Sequence, residues 1–201
     1  MNNGKWNAFK RSVATSFVLG VVLFGAWATR RDLAQEGWLG GAPLRNYGVV
    51  WEHALTRSGM PYVDDGWKWL RSHGVKSVVS FREENDVNYD EFGFARVLHL
   101  PMSGHRFPTE QQASHFLQFI QDPNNQPVHI HCTLGRDRTG MMTALTRYAV
   151  DGWPLERALA EARMYRGGDD LSPRMTAWLQ AWAATHTPGS ARLHEEATVA
   201  H

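Results

Sequence analysis

Hydrophobic positions along this chain recur with two spacings, and the change from one to the other sets out a series of strands and helices. Tyr47 to Leu55 alternates in the manner of a first strand, with Val49, Trp51 and His53 sharing a face. Arg57-Ser58-Gly59-Met60-Pro61 then predicts a turn. Asp64 or Asp65 can cap a short helix carrying Trp67 and Leu70, which stops at His73-Gly74. Lys76 to Phe81 predicts a buried strand, and the acidic stretch from Arg82 to Glu91 predicts a loop and short helix on a solvated face. Ala95 to Leu100 reads as another strand. Thr109 with Gln112 makes a capping box for a helix bearing Phe116, Leu117 and Ile120, which Asp122-Pro123-Asn124-Asn125 ends.

The second half begins with a short apolar run, Val128 to Ile130, that forms a central strand ending on His131. After Gly140, the positions of Met141, Met142, Leu145, Tyr148 and Ala149 predict a helix to about Val150. Pro154 opens a helix through Leu155, Ala158, Leu159 and Ala162, and Ser172-Pro173 starts a last one with Met175, Trp178, Leu179 and Trp182 on its apolar side. Strands alternating with helices, then helices alone, predict an α/β fold: a small central sheet flanked by helices, with a helical C-terminal half.

At 201 residues and 43% hydrophobic content, the chain suits one domain with tails. A net charge of +1, with no basic run outside the N-terminus, argues against a nucleic-acid partner. Lys5, Lys10 and Arg11 precede an apolar run from Val13 to Ala28 that closes on the small-x-small pattern Ala26-Trp27-Ala28. This is the layout of a secretory signal peptide; an uncleaved anchor reaching the membrane through residues 12–28 is the alternative. The basic flank places the folded region outside the cytoplasm, in the periplasm of a bacterium, although Arg30 and Arg31 put charge on the other flank too. The chain thus divides into a targeting segment (1–31), a Gly-rich linker (32–46), a domain (47–186) and a polar, mobile tail (187–201).

The chemistry concentrates in ten consecutive residues, His131-Cys132-Thr133-Leu134-Gly135-Arg136-Asp137-Arg138-Thr139-Gly140, which hold the only cysteine. A loop that leaves a strand and opens a helix turns consecutive backbone N–H groups inward, and the helix dipole adds to them, so the loop can cradle an anion. The same positive field favours the thiolate of a cysteine held in it. Arg138 can grip two phosphate oxygens through its planar fork. A thiolate and a phosphate clamp in one loop imply phosphoryl transfer onto sulfur, followed by hydrolysis. His129, His131 and Cys132 could begin a metal site, but nothing supplies the remaining ligands at recognisable spacing, so neither metal nor other cofactor is expected.

At these residues the chain resembles the cysteine-dependent phosphatases of the protein-tyrosine and dual-specificity superfamily, whose signature is His-Cys, five residues, Arg, then Ser or Thr and often Gly. His131, Cys132, Gly135, Arg138, Thr139 and Gly140 match it, in the expected strand–loop–helix context. The resemblance runs over roughly residues 47–185 and is closest to the small bacterial dual-specificity type. It implies Cys132 as nucleophile, Arg138 as phosphate clamp, and a phosphate-binding loop over Thr133, Leu134, Gly135, Arg136, Asp137 and Arg138. His131 holds the loop by hydrogen bonds. Thr139 donates to the sulfur, caps the helix, or does both.

Such enzymes take a leaving-group proton from an aspartate on a separate upstream loop, yet the corresponding stretch here, Met102 to Pro108, has none. Asp137 is the substitute, or else an ion-pair or helix N-terminal charge; His105 and Asp86 are lesser candidates. Arg136 puts a second cation at the rim, which suits substrates with more than one phosphate. The expected function is hydrolysis of phosphomonoesters on phosphorylated proteins. The alternatives are a phosphoinositide or inositol-phosphate phosphatase, a catalytically weak phosphate-binding module, and a sulfurtransferase, which the Arg-Thr-Gly ending of the loop disfavours.

Overall fold

In the computed structural model of the chain, residues 42–193 are described, apart from residues 95 and 104. The apolar run at 13–28 and the end of the tail lie outside that range. The strand that ends on Cys132 sits at the centre of a five-stranded sheet with the order β1-β2-β5-β3-β4. These are β1 (Gly48–Trp51), β2 (Leu55–Gly59), β3 (Ser77–Ser80), β4 (Arg96–His99) and β5 (Val128–Cys132). β1 runs antiparallel to β2, and every other neighbouring pair is parallel. Gly59 is opposite Cys132 and Ser80 opposite His131, so the C-terminal ends of the parallel strands gather around the cysteine. In open sheets of this kind the crevice beyond those ends is where ligands bind.

Five helices pack on the sheet among the described residues: α1 (Asp64–Ser72), α2 (Glu110–Gln121), α3 (Asp137–Ala149), α4 (Leu155–Met164) and α5 (Pro173–Thr185). Neighbouring residues of a strand face opposite ways, and the two cores follow from that. Val78 joins Trp67, Leu70, Tyr89 and Phe94 under α1, whereas Val79 and Ile130 join Phe116, Leu117, Met141, Leu145 and Leu179 under the other four helices. α3 carries the phosphate-loop sequence into the larger core, with its middle turns buried on all sides. The capping box is present at α2, where Gln112 N–H donates to Thr109 Oγ1 (3.2 Å) and Thr109 N–H to Gln112 Oε1 (2.9 Å). Ser172 caps α5 by accepting from Met175 N–H. Neither Asp64 nor Asp65 caps α1: the helix already begins at Asp64, its N-cap is Val63, and both carboxylates lie in the first turn where the helix dipole favours them.

The first strand is two strands. His53 takes a left-handed turn (φ 59°) that ends β1, and Arg57-Ser58-Gly59, expected as a turn, forms the buried end of β2. Polar side chains conceal this strand in the sequence, because each finds a partner inside the protein. Residues 42–46, expected as linker, also belong to the folded unit: Ala42 and Leu44 are buried, and Asn46 Nδ2 donates to the Leu134 carbonyl (2.8 Å). At the other end, residues 187–193 are tied down where a mobile tail was expected to begin. Gly189 and Ala191 N–H donate to the carbonyls of Tyr148 and Ala149 (both 2.9 Å), and Leu193 N–H to Gln121 Oε1 (2.9 Å).

Truncation after His186 should therefore lower unfolding stability by on the order of 2 kcal/mol, since several hydrogen bonds, exposed to partly buried, are lost together. The readout is a reduced urea midpoint at nearly unchanged slope; an unaltered midpoint would show that this segment merely rests on the surface.

Candidate active site

Cys132 is the last residue of β5 and is 2% exposed. The chain then turns through Thr133–Arg136 into α3, and Gly135 N–H donates to Cys132 Sγ (3.3 Å). The loop is curled against the end of β2. Gly135 has φ 71°, and a Cβ there would stand 2.3 Å from the Gly59 nitrogen; a Cβ on Gly59 would stand 2.9 Å from the Leu134 carbonyl carbon. Both positions require glycine, one for its left-handed backbone and both for the close approach. Met60 N–H completes the seam by donating to the Cys132 carbonyl (2.8 Å).

Arg138 lies in the first turn of α3. Its Nη1 donates to the carbonyls of Phe81 (3.2 Å) and Met102 (3.1 Å), and its Nη2 to Thr133 Oγ1 (3.0 Å). The clamp is thereby held to the segments that follow β3 and β4. Thr139 is the third residue of the helix and its N-cap is Arg136, so Thr139 does not cap it; its buried Oγ1 has no hydrogen-bond partner among the described residues. Leu134 and Arg136 are exposed at the rim. A cleft of about 620 Å³ opens over Asp137 and Arg138, bounded by Glu83, Ser103 and the start of α5 at Ser172–Met175.

The candidate acids all have partners. Asp137 forms an ion pair with Arg166, from the break after α4. Asp86 pairs with Arg82, whose guanidinium holds the Asp86 carboxyl below its usual range. His105 contacts Arg174 at the foot of α5. Glu83 is exposed, as the acidic pattern predicts; it also borders the cleft and pairs with Arg106 (3.0 Å). Of these groups, Asp137 and Glu83 are the ones bordering the cleft beside Arg138.

His131 is fully buried. Its Nδ1 donates to the Cys132 carbonyl (3.4 Å) and its Nε2 accepts from the Tyr89 hydroxyl (2.9 Å). Burial, reinforced by the Arg82 and Arg138 cations, lowers its pKa to about 3. His129 is buried alongside, between Thr56 Oγ1 (2.9 Å) and Ser58 Oγ (2.8 Å), and burial likewise holds it well below its ordinary value. Both imidazoles are committed to neutral hydrogen bonds, and no cluster of three metal-ligating side chains forms among the described residues.

Sequence reading missed three contributors. Arg57 sits wholly buried beneath the loop and donates to the Gly135 carbonyl. Tyr89 orients His131, and Arg166 holds Asp137. None is close to the loop in sequence; the one cue was an arginine beside the Gly167-Gly168 break.

A cysteine that ends the central strand and an arginine in the first turn of the next helix, at the C-terminal edge of a mostly parallel sheet, match the fold of cysteine-dependent phosphatases. The chain belongs to the family described as DSP-PTPase phosphatase fused to NAD+ kinase, whose model matches residues 47–180. It is 36% identical over 114 residues to the dual specificity protein phosphatase TpbA of Pseudomonas aeruginosa, a match spanning 57% of this chain and 51% of TpbA, about half its length. The crystal structure of P. aeruginosa TpbA superposes with a TM-score of 0.55 at 30% identity, covering 65% of this chain and 81% of that one. The inositol diphosphatase DSP3 of Arabidopsis thaliana is 26% identical over 138 residues, covering 63% of this chain and 64% of that protein.

The two histidines make stability depend on pH. In the fold they stay neutral down to about pH 3 for His131, and to values well below 6.5 for His129, whereas the unfolded chain takes up both protons below 6.5. Their contribution is complete above that value and is lost as the pH falls. Between pH 7 and 5.5 the unfolding free energy should drop by on the order of 2 kcal/mol, measured by urea titration, and by about half as much in His131→Asn. A flat profile would show that these histidines are not held neutral.

Proposed function

We propose that the chain hydrolyses phosphomonoesters, foremost those of phosphorylated proteins, through a cysteinyl-phosphate on Cys132. The observation that carries this reading is the pairing, within one loop, of a buried sulfur that receives the Gly135 N–H with an arginine fixed to two backbone carbonyls across the site. Cys132 Sγ attacks phosphorus, forming the S–P bond as the ester P–O bond breaks. Arg138 and the loop amides bind the equatorial oxygens, where charge accumulates in the transition state. The Thr139 hydroxyl, buried and otherwise unbonded, is available to the sulfur when water cleaves the S–P bond.

Asp137 is the residue we assign to protonating the departing oxygen. It borders the cleft beside Arg138, and that role requires its pair with Arg166 to open. An inositol-phosphate substrate is the second reading. It is favoured by the exposed Arg136 beside the loop, by Arg174 in the cleft wall, and by the relative that is itself an inositol diphosphatase. Residues 12–28 act, in this reading, as an export signal or membrane anchor that carries the domain out of the cytoplasm; the first residue of the mature protein distinguishes cleavage after Ala28 from an intact anchor.

Cys132→Ser should abolish turnover of para-nitrophenyl phosphate while phosphate binding persists, and retained turnover would remove Cys132 as nucleophile. Asp137→Asn should reduce kcat on alkyl phosphates by about 10²-fold but on aryl phosphates, whose leaving groups need little protonation, far less. Equal losses on both would assign Asp137 to the ion pair alone. A panel of phosphopeptides and inositol phosphates ranked by kcat/KM decides between the two substrate classes.

A further inference from the structure

Arg57 is the largest fully buried side chain whose role the reaction scheme leaves open. It projects from β2 on the face of the sheet that carries Cys132, since it is paired with Ile130 and Gly59 with Cys132. Its guanidinium joins three elements. Nη2 donates to the Gly135 carbonyl in the phosphate loop, Nη1 to Thr143 Oγ1 on α3 (3.4 Å), and the plane lies 3.8 Å from the ring centre of Tyr165 after α4.

A buried cation usually has a carboxylate against it, because the uncompensated charge is expensive to desolvate. Among the described residues, Arg57 has no ion-pair partner. The Tyr165 ring face offers only partial compensation, and Arg57 Nε has no hydrogen-bond partner among the described residues. Burial lowers the Arg57 pKa, and the groups that act most strongly against this are Tyr165 and then Cys132. Arginine nevertheless remains charged at any ordinary pH. Glu161, the carboxylate that also acts on Arg57, is itself paired through both oxygens with Arg147, so the position holds a positive charge immediately behind the anion-binding loop, with most of the balancing negative charge left to whatever occupies that loop.

We propose that Arg57 is a positioning residue for the phosphate loop, which fixes the Gly135 carbonyl outward and supplies from behind the loop a charge whose counter-ion is the Cys132 thiolate or the bound oxyanion. The proposal rests on the phosphatase reading. A carbonyl drawn toward Arg57 leaves the amides of the same loop facing the anion, and the fixed charge strengthens their field at a sulfur that is itself buried. The expected consequence is a change in anion binding and thiol reactivity, beyond any change in stability.

The test compares Arg57→Met, Arg57→Gln and Arg57→Lys with the full-length wild type. Four quantities are measured: thermal midpoint, kcat and KM for para-nitrophenyl phosphate, tungstate inhibition, and the rate of Cys132 alkylation by iodoacetamide at neutral pH. Gln keeps a donor for Gly135 without charge, so it carries the comparison if the Met variant does not fold. The neutral variants should lose about tenfold or more in tungstate affinity and in alkylation rate, and Lys should recover most of both. A folded neutral variant with wild-type tungstate affinity and alkylation would overturn the proposal and leave Arg57 a packing residue. Wild-type protein that neither turns over the aryl phosphate nor binds tungstate would overturn the phosphatase reading, and this proposal with it.

Discussion

Two stretches of backbone meet with no side chain between them, and the geometry of the site depends on that contact. Ser58-Gly59 at the end of β2 abuts Leu134-Gly135 in the phosphate loop, at distances that admit no Cβ on either glycine. Asn46 and Met60 secure the seam from both sides through the Leu134 and Cys132 carbonyls. The curvature that points the loop amides at an anion is therefore imposed from outside the loop. Because β2 pairs in register with β5, the same hydrogen bonds that build the sheet also set where Gly59 meets Gly135.

That contact makes the inner end of the sheet polar. Arg57, Ser58, Ser80, His129 and His131 are all buried on strands beneath or beside the loop. A buried polar group is tolerated when it is hydrogen bonded, and the row is self-satisfying to a large degree. Ser58 Oγ donates to the Gly59 carbonyl (2.5 Å) while meeting His129, and His131 links the Tyr89 hydroxyl to the Cys132 carbonyl. Trp67 packs edge-on against His131 (5.3 Å between ring centres), which connects the orientation of the loop to the smaller core. The two cores on opposite faces of the sheet therefore both bear on Cys132.

The features legible in the sequence were the local ones. The order strand, loop, helix around Cys132, the capping box at Thr109 and Gln112, and the serine cap at Ser172 each arise from residues a few positions apart. Apolar spacing likewise located β3, β5 and the C-terminal helices, since packing defines them, and β4 was legible as a short apolar run although it is a half-exposed edge strand. β2 escaped because its burial is stabilised by polar partners far along the chain: Arg57 to Gly135 and Thr143, Ser58 to His129. Residues 42–46 and 187–193 escaped for a related reason: they are too short to show a period, and their anchors (Ala42 and Leu44 in the smaller core, and hydrogen bonds from 187–193 to Tyr148, Ala149 and Gln121) lie far along the chain. In the site, the loop residues were legible individually, but Arg166, the counterpart of Asp137, was not. A pair such as Asp137–Arg166 exists only because α4 returns the chain to the start of α3.

Pairing also decides where the positive field of the cleft is strongest. Arg166 is engaged by Asp137, Arg106 by Glu83, and Arg82 by Glu84 and Asp86. Each cation facing a carboxylate contributes little net field at a distance, because the two charges largely cancel beyond their own separation. Arg138 differs: its donors reach carbonyls and a hydroxyl, so its charge is uncompensated by any carboxylate among the described residues. Arg57 shares that property from behind the loop. An anion entering the cleft thus meets charge unbalanced by a carboxylate, among the described residues, at Arg138 in the loop, at the exposed Arg136 and at Arg174 in the cleft wall, with Arg57 adding to it from behind the loop.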